Sequence, residues 1–121
     1  MNPTQYWTDF PNAPAVGTPL IAFSALVDGA VTMCDVAAFR CLLLRSGEAV
    51  WAYVNACPDF GVPLAQKPEH LLFKPHQSLS CNVHYARFRW QDGVCEFGDC
   101  KGDRLSPIPV CVENGLVKIA E

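Results

Sequence analysis

The chain has 121 residues, 50% apolar and 17% charged, enough for one folded domain and too apolar for a disordered one. Its formal charge of −3 argues against a nucleic-acid binder, which carries a basic face. No apolar run approaches the ~20 residues of a membrane span.

Residues 1–19 carry Pro3, Pro11, Pro14 and Pro19 and show no basic and apolar leader pattern. They are expected to form an extended, irregular arm, tacked down by Tyr6, Trp7 and Phe10. A chain of this kind is expected to be cytoplasmic, with its cysteines serving as thiols or metal ligands rather than disulfides.

From Leu20 the chain reads as short strands divided by turn signals. Residues 20–27 are apolar and end at Asp28-Gly29, a dipeptide suited to a tight hairpin turn. Residues 37–45 form the next strand, Ser46-Gly47-Glu48 turns it back, and residues 49–55 return. Along this return Trp51 and Tyr53 share one face, and Val50, Ala52 and Val54 the other. Residues 71–74 and 78–81 pair around Pro75-His76-Gln77. Residues 86–90 and 94–97 pair around Asp92-Gly93. Residues 109–113 and 116–120 pair around Asn114-Gly115, whose two residues tolerate positive φ. Only residues 67–72 permit a turn of helix. The class is all-β, an antiparallel sandwich or partly open barrel.

Ligand-type residues gather in the loops between Cys57 and Cys100. Cys57-Pro58-Asp59 is followed by Cys81-Asn82-Val83-His84, and later by Gly98-Asp99-Cys100. One intervening residue in the first group and two in the second let each tight loop aim two side chains at one site, which is metal-ligand spacing. Pro58 stiffens the first loop, and Gly61 permits a sharp turn. His70 and His76 read as surface-loop residues. Cys34, Cys41 and Cys111 read as small buried hydrophobes. Trp51, Trp90 and Phe88 read as core. No nucleophile elbow and no phosphate loop is present.

The segments 53–64, with Cys57-Pro58-Asp59-Phe60-Gly61, 81–88, with Cys-x-x-His-x-Ala-x-Phe, and 92–102 resemble the ligand boxes and covering loop of small Rieske [2Fe-2S] proteins. The resemblance spans roughly residues 20–120. It implies a Rieske-like fold, with a cluster-binding subdomain at about 56–104 of a domain spanning 20–121. It also implies that Cys57 and Cys81 hold the inner iron and His84 the outer one. The family's first histidine is Asp59 here. The disulfide that staples the loops in respiratory members falls on Val62 and Val83. The hydroxyl donors after the second box fall on Ala86 and Phe88. Fewer hydrogen bonds to sulfur disfavour reduction, so the resemblance implies a low-potential electron carrier, not an enzyme, serving an oxygenase or reductase partner.

Asp59 leaves three readings open. It ligates iron, completing a set of Cys57, Asp59, Cys81 and His84. That lowers the potential further and removes one of two titrating imidazoles. Alternatively, the cluster is absent and the domain serves structure or interaction. Thirdly, the four residues hold one Zn²⁺ or Fe²⁺. Cys95 and Cys100 flank the covering loop and are not assigned as ligands.

Overall fold

The computed structural model describes residues 6–58, 63–81, 86–98 and 101–120. The described strands form three antiparallel sheets. Strand β1 (Pro19–Ala22) pairs with β10 (Leu116–Ile119), which pairs with β9 (Val110–Glu113). Strands β2 (Val31–Val36), β3 (Phe39–Ser46) and β4 (Ala49–Val54) form a meander. Strands β5 (Leu72–Lys74), β6 (Ser78–Ser80), β7 (Arg87–Arg89) and β8 (Cys95–Phe97) form the third sheet.

The middle meander is buried on both faces. Leu42, Leu44 and Tyr53 join one apolar cluster with Leu79, Phe88 and Trp90 of the β5–β8 layer. Cys41, Leu43, Ala52 and Val54 join a second with Val117 and Ile119 of the terminal sheet. The alternation read along β4 is therefore the division between two cores, because successive side chains of a strand point to opposite faces. Each fully buried Leu of β3 contributes about 1.5–3 kcal/mol through burial.

Three features differ from the sequence reading. The apolar stretch from Leu20 leaves β1 after Ala22 and forms a short 3-10 turn, Phe23–Ala25. The first hairpin lies between β2 and β3. Its Ala37-Ala38 turn gives no sequence signal, yet Ala37 has φ +53°. In the arm, Trp7, Phe10 and Ala13 pack on the second core, whereas Tyr6 is 74% exposed. The Asn114-Gly115 turn has positive φ at both residues, as the dipeptide requires. No helix among the described residues is long and apolar enough to cross a membrane.

Candidate metal centre

The first ligand loop leaves the end of β4. Asn55 is buried there, and its side chain spans the loop. Its Oδ1 accepts from the Leu64 N–H (2.8 Å) and the Ala65 N–H (3.4 Å), while its Nδ2 donates to the Ala65 carbonyl (2.9 Å). The Asn55 N–H donates to the Arg40 carbonyl (3.0 Å), and the Arg40 guanidinium donates to the Gln66 carbonyl (2.6 Å). Both ends of the loop are thus tied to each other and to β3. A short amide that mimics a backbone pair can close a loop without secondary structure. Asn55, two residues before Cys57, was not singled out from the sequence for this clamp.

The second loop extends the β6–β7 ladder by one step. The Cys81 N–H donates to the Ala86 carbonyl (2.8 Å), which closes the hairpin at its base. The third loop leaves β8 at Gly98, whose φ is +110°. A Cβ there would lie 3.1 Å from Ala86 Cα and 3.2 Å from Ala86 Cβ. Glycine lets the third loop rest against the base of the second. Beyond it, the Gly102 N–H donates to the Cys95 carbonyl (3.3 Å), and the Cys95 N–H to the Asp103 carbonyl (2.8 Å).

Cys57 and Cys81 are both buried, and both belong to the core cluster that contains Leu64, Ala86, Phe88 and Cys95. Two loops distant in sequence therefore place two sulfur atoms in one apolar patch. Ala86 and Phe88 are buried there too, and neither side chain carries a hydroxyl. Cys95 donates its thiol hydrogen to the Phe97 carbonyl (3.2 Å). Among the described residues no group of three or more His, Cys, Asp or Glu side chains gathers as a metal site. Asp59, His84 and Cys100 lie outside the described residues, as do Gly61, Val62 and Val83.

His76 is exposed on the β5–β6 turn, at the opposite end of β6 from Cys81, with Nδ1 2.7 Å from Ser46 Oγ. His70 closes a 3-10 turn, Pro68–His70, and its Nδ1 is buried without a hydrogen-bond partner, so it is not a plain surface residue. Cys111 is exposed on β9, not buried, because the β9 face it occupies is solvated.

Two exposed ion pairs lie on the β7–β8 side. Arg87 Nε donates to Glu96 Oε2 (2.7 Å), and Arg89 pairs with Asp92. The Arg89 hydrogen bond holds the Asp92 carboxyl below its ordinary value, aided by the Val94 N–H against a burial penalty. Beneath them Tyr53 donates its hydroxyl to the Trp90 carbonyl (2.6 Å). Burial, and then the Asp92 charge, push the Tyr53 phenol up.

No protein-family model matches the chain, and no curated protein sequence is similar to it. Solved structures are. The ferredoxin of carbazole 1,9a-dioxygenase from Nocardioides aromaticivorans IC177 superposes with a TM-score of 0.70 at 20% identity, over 88% of this chain and 98% of that one. The terminal oxygenase of carbazole 1,9a-dioxygenase from Novosphingobium sp. KA1 gives 0.72 at 22% identity, over 87% of this chain but 30% of the oxygenase. A reduced complex between oxygenase and ferredoxin in carbazole 1,9a-dioxygenase gives 0.71 at 21% identity, over 86% of this chain and 29% of that chain. The likeness therefore covers nearly the whole of the ferredoxin and one part of the larger chains. At these identities it establishes the fold, and that fold is the all-β, Rieske-like one implied by the ligand boxes.

Proposed function

We propose that the chain is an electron-transfer protein carrying a low-potential Rieske-type [2Fe-2S] cluster and serving an oxygenase or reductase partner. One observation carries this reading. Cys57 and Cys81, from two segments with ligand spacing, belong to one buried core cluster, in a fold that matches 88% of this chain to 98% of a small ferredoxin. Two thiolate donors in an apolar pocket fit the inner iron of such a cluster. Asp59 and His84 complete the ligand set, and the cluster-binding part is residues 56–104.

When bound, the cluster takes up and releases one electron. The protein's residues set the conditions for that transfer. Asn55 and Arg40 fix the first loop, the Cys81–Ala86 hydrogen bond fixes the second, and Gly98 allows the third to close on it. Ala86 and Phe88 offer no hydroxyl hydrogen bonds to sulfur, which disfavours reduction. The Asp59 carboxylate adds a negative charge in place of a neutral imidazole and disfavours it further. Phe97, 59% exposed beside the third loop, supplies an apolar contact for the partner, next to the Arg87–Glu96 ion pair. The complexes of oxygenase with ferredoxin among the similar structures support an oxygenase as that partner.

The test is a redox titration of the protein and of Asp59→His, followed by visible absorption and electron paramagnetic resonance. The wild type is expected to give a one-electron couple with the signal of a mixed-valence iron pair. Asp59→His is expected to raise the potential and add a second protonation to its pH dependence. An unchanged potential and unchanged proton count would remove Asp59 from the ligand set.

A further inference from the structure

The register of the middle sheet brings together two thiols that play no part in the candidate metal centre. On β2 and β3, Cys34 lies directly opposite Cys41. Directly opposed residues of an antiparallel pair have their Cα atoms about 4.5–5.5 Å apart, with side chains on one face. A disulfide needs a Cα separation of about 4.4–6.8 Å, so the register sets the two residues within bridging range. Both side chains belong to the core cluster between the middle and terminal sheets, on the side away from Cys57 and Cys81. The Cys41 thiol donates to the Cys34 carbonyl (2.9 Å), which places its sulfur at its partner's own peptide.

We infer that Cys34 and Cys41 form a reactive dithiol, which a hydroperoxide closes into a cross-strand disulfide and a small-molecule thiol reopens. The two sulfurs have different roles. Cys34 stands on β2, the edge strand of its sheet, and is 8% exposed, whereas Cys41 on the central strand is 0% exposed. The oxidant therefore meets Cys34 first. The Cys41 thiol beside it holds the Cys34 thiol below its ordinary value, against burial and the Asp35 charge. Cys41 itself is pushed up, first by the same contact with Cys34 and then by burial. The thiolate is the nucleophilic form, and the edge-strand Cys34 is the one a peroxide reaches, so Cys34 attacks and Cys41 resolves.

In the first step the Cys34 thiolate attacks the terminal peroxide oxygen and the O–O bond breaks. Cys34 becomes a sulfenic acid, and the leaving alkoxide or hydroxide takes a proton to give alcohol or water. In the second step Cys41 sulfur attacks Cys34 sulfur, the S–O bond breaks, and the Cys41 proton leaves with the hydroxyl as water. The two thiols lose two electrons in all, and the peroxide gains both. Reopening by a small-molecule thiol proceeds through a mixed disulfide.

The experiment uses the full chain, purified without oxygen and exposed to hydrogen peroxide. Remaining thiols are alkylated in denaturant, and the protein is digested with trypsin without reduction. Trypsin cuts after Arg40 and Arg45, which separates the two cysteines. The expected product is the peptide 1–40 joined to the peptide 41–45, two hydrogens lighter than the separate pair and lost on adding dithiothreitol. In Cys34→Ser the joined species is absent and Cys41 is recovered alkylated. In Cys41→Ala, Cys34 accumulates as a sulfenic acid that dimedone traps. Recovery of Cys34 and Cys41 separately alkylated, after peroxide has consumed the exposed Cys111 thiol, would overturn the inference. So would joining of either to a different cysteine. Melting curves of both variants confirm that a missing product reflects lost chemistry and not lost fold.

Discussion

Asn55 holds the first ligand loop with hydrogen bonds from both ends of one amide. Asn55→Ala would strand the Leu64 N–H and the Ala65 carbonyl, at a cost of about 1–3 kcal/mol for each group left unsatisfied. Thermal unfolding of the variant should show that loss, and iron should leave Asn55→Ala faster than the wild type during dialysis. Equal iron retention would mean that the loop needs no clamp. Tyr53 makes a separate prediction through pH. Its phenol is raised in the fold, so its contribution to stability is complete below its unfolded value of about 10 and is lost as pH climbs towards the folded value. Tyr53→Phe loses the hydrogen bond to the Trp90 carbonyl, worth about 1–3 kcal/mol for a buried acceptor. The stability gap between wild type and Tyr53→Phe should therefore narrow as pH rises above about 10. A gap independent of pH in denaturant titrations would contradict the assignment. At this scale the sequence was informative about residues that announce chemistry. The structure buries Cys57 and Cys81 in one core cluster. Asn55 was not read, because an amide acting as a surrogate backbone pair has no spacing rule of its own. The ligand roles of Cys57, Asp59, Cys81 and His84 are all assignments from sequence.

Each loop of the candidate centre is positioned by the strand pair beneath it. The second loop sits on the β6–β7 hairpin, and the third leaves β8 against it at Gly98. Gly98 and Gly102 both have positive φ, but only Gly98 is crowded, with Ala86 within van der Waals reach. Gly98→Ala therefore adds a steric cost to the backbone strain of about 1–3 kcal/mol that each substitution carries. Differential scanning calorimetry should find Gly98→Ala less stable than Gly102→Ala, and Gly98→Ala alone should speed iron loss. Equal effects would show that the two loops do not bear on each other. Declared turns gave the pairing at the later hairpins but not at Asp28-Gly29, where the preceding strand β1 pairs with β10 instead of β2. Asp92-Gly93 and Asn114-Gly115 supply the positive φ their hairpins need. The β2–β3 hairpin was illegible because alanine takes the left-handed conformation at Ala37, where tertiary pairing of Val36 with Phe39 overrides its preference.

At the scale of the whole molecule, three sheets are stacked so that the middle one is buried on both faces. Leu42, Leu43 and Leu44 feed alternate cores, and all three are buried. Continuous apolarity along β3 is the sequence mark of a strand covered on both sides. The stacking of the layers was not in the periodicity. The arrangement separates two pairs of cysteines. Cys57 and Cys81 face the β5–β8 layer, and Cys34 and Cys41 face the terminal sheet. The central claim is that the first pair, with Asp59 and His84, holds a two-iron cluster. Iron and acid-labile sulfide, measured per chain on protein purified without oxygen, test it most directly. The account predicts two irons and two sulfides, with visible charge-transfer absorption that bleaches on reduction. One zinc without sulfide, or a folded chain with no metal, would contradict it and leave a mononuclear site or a structural domain in its place.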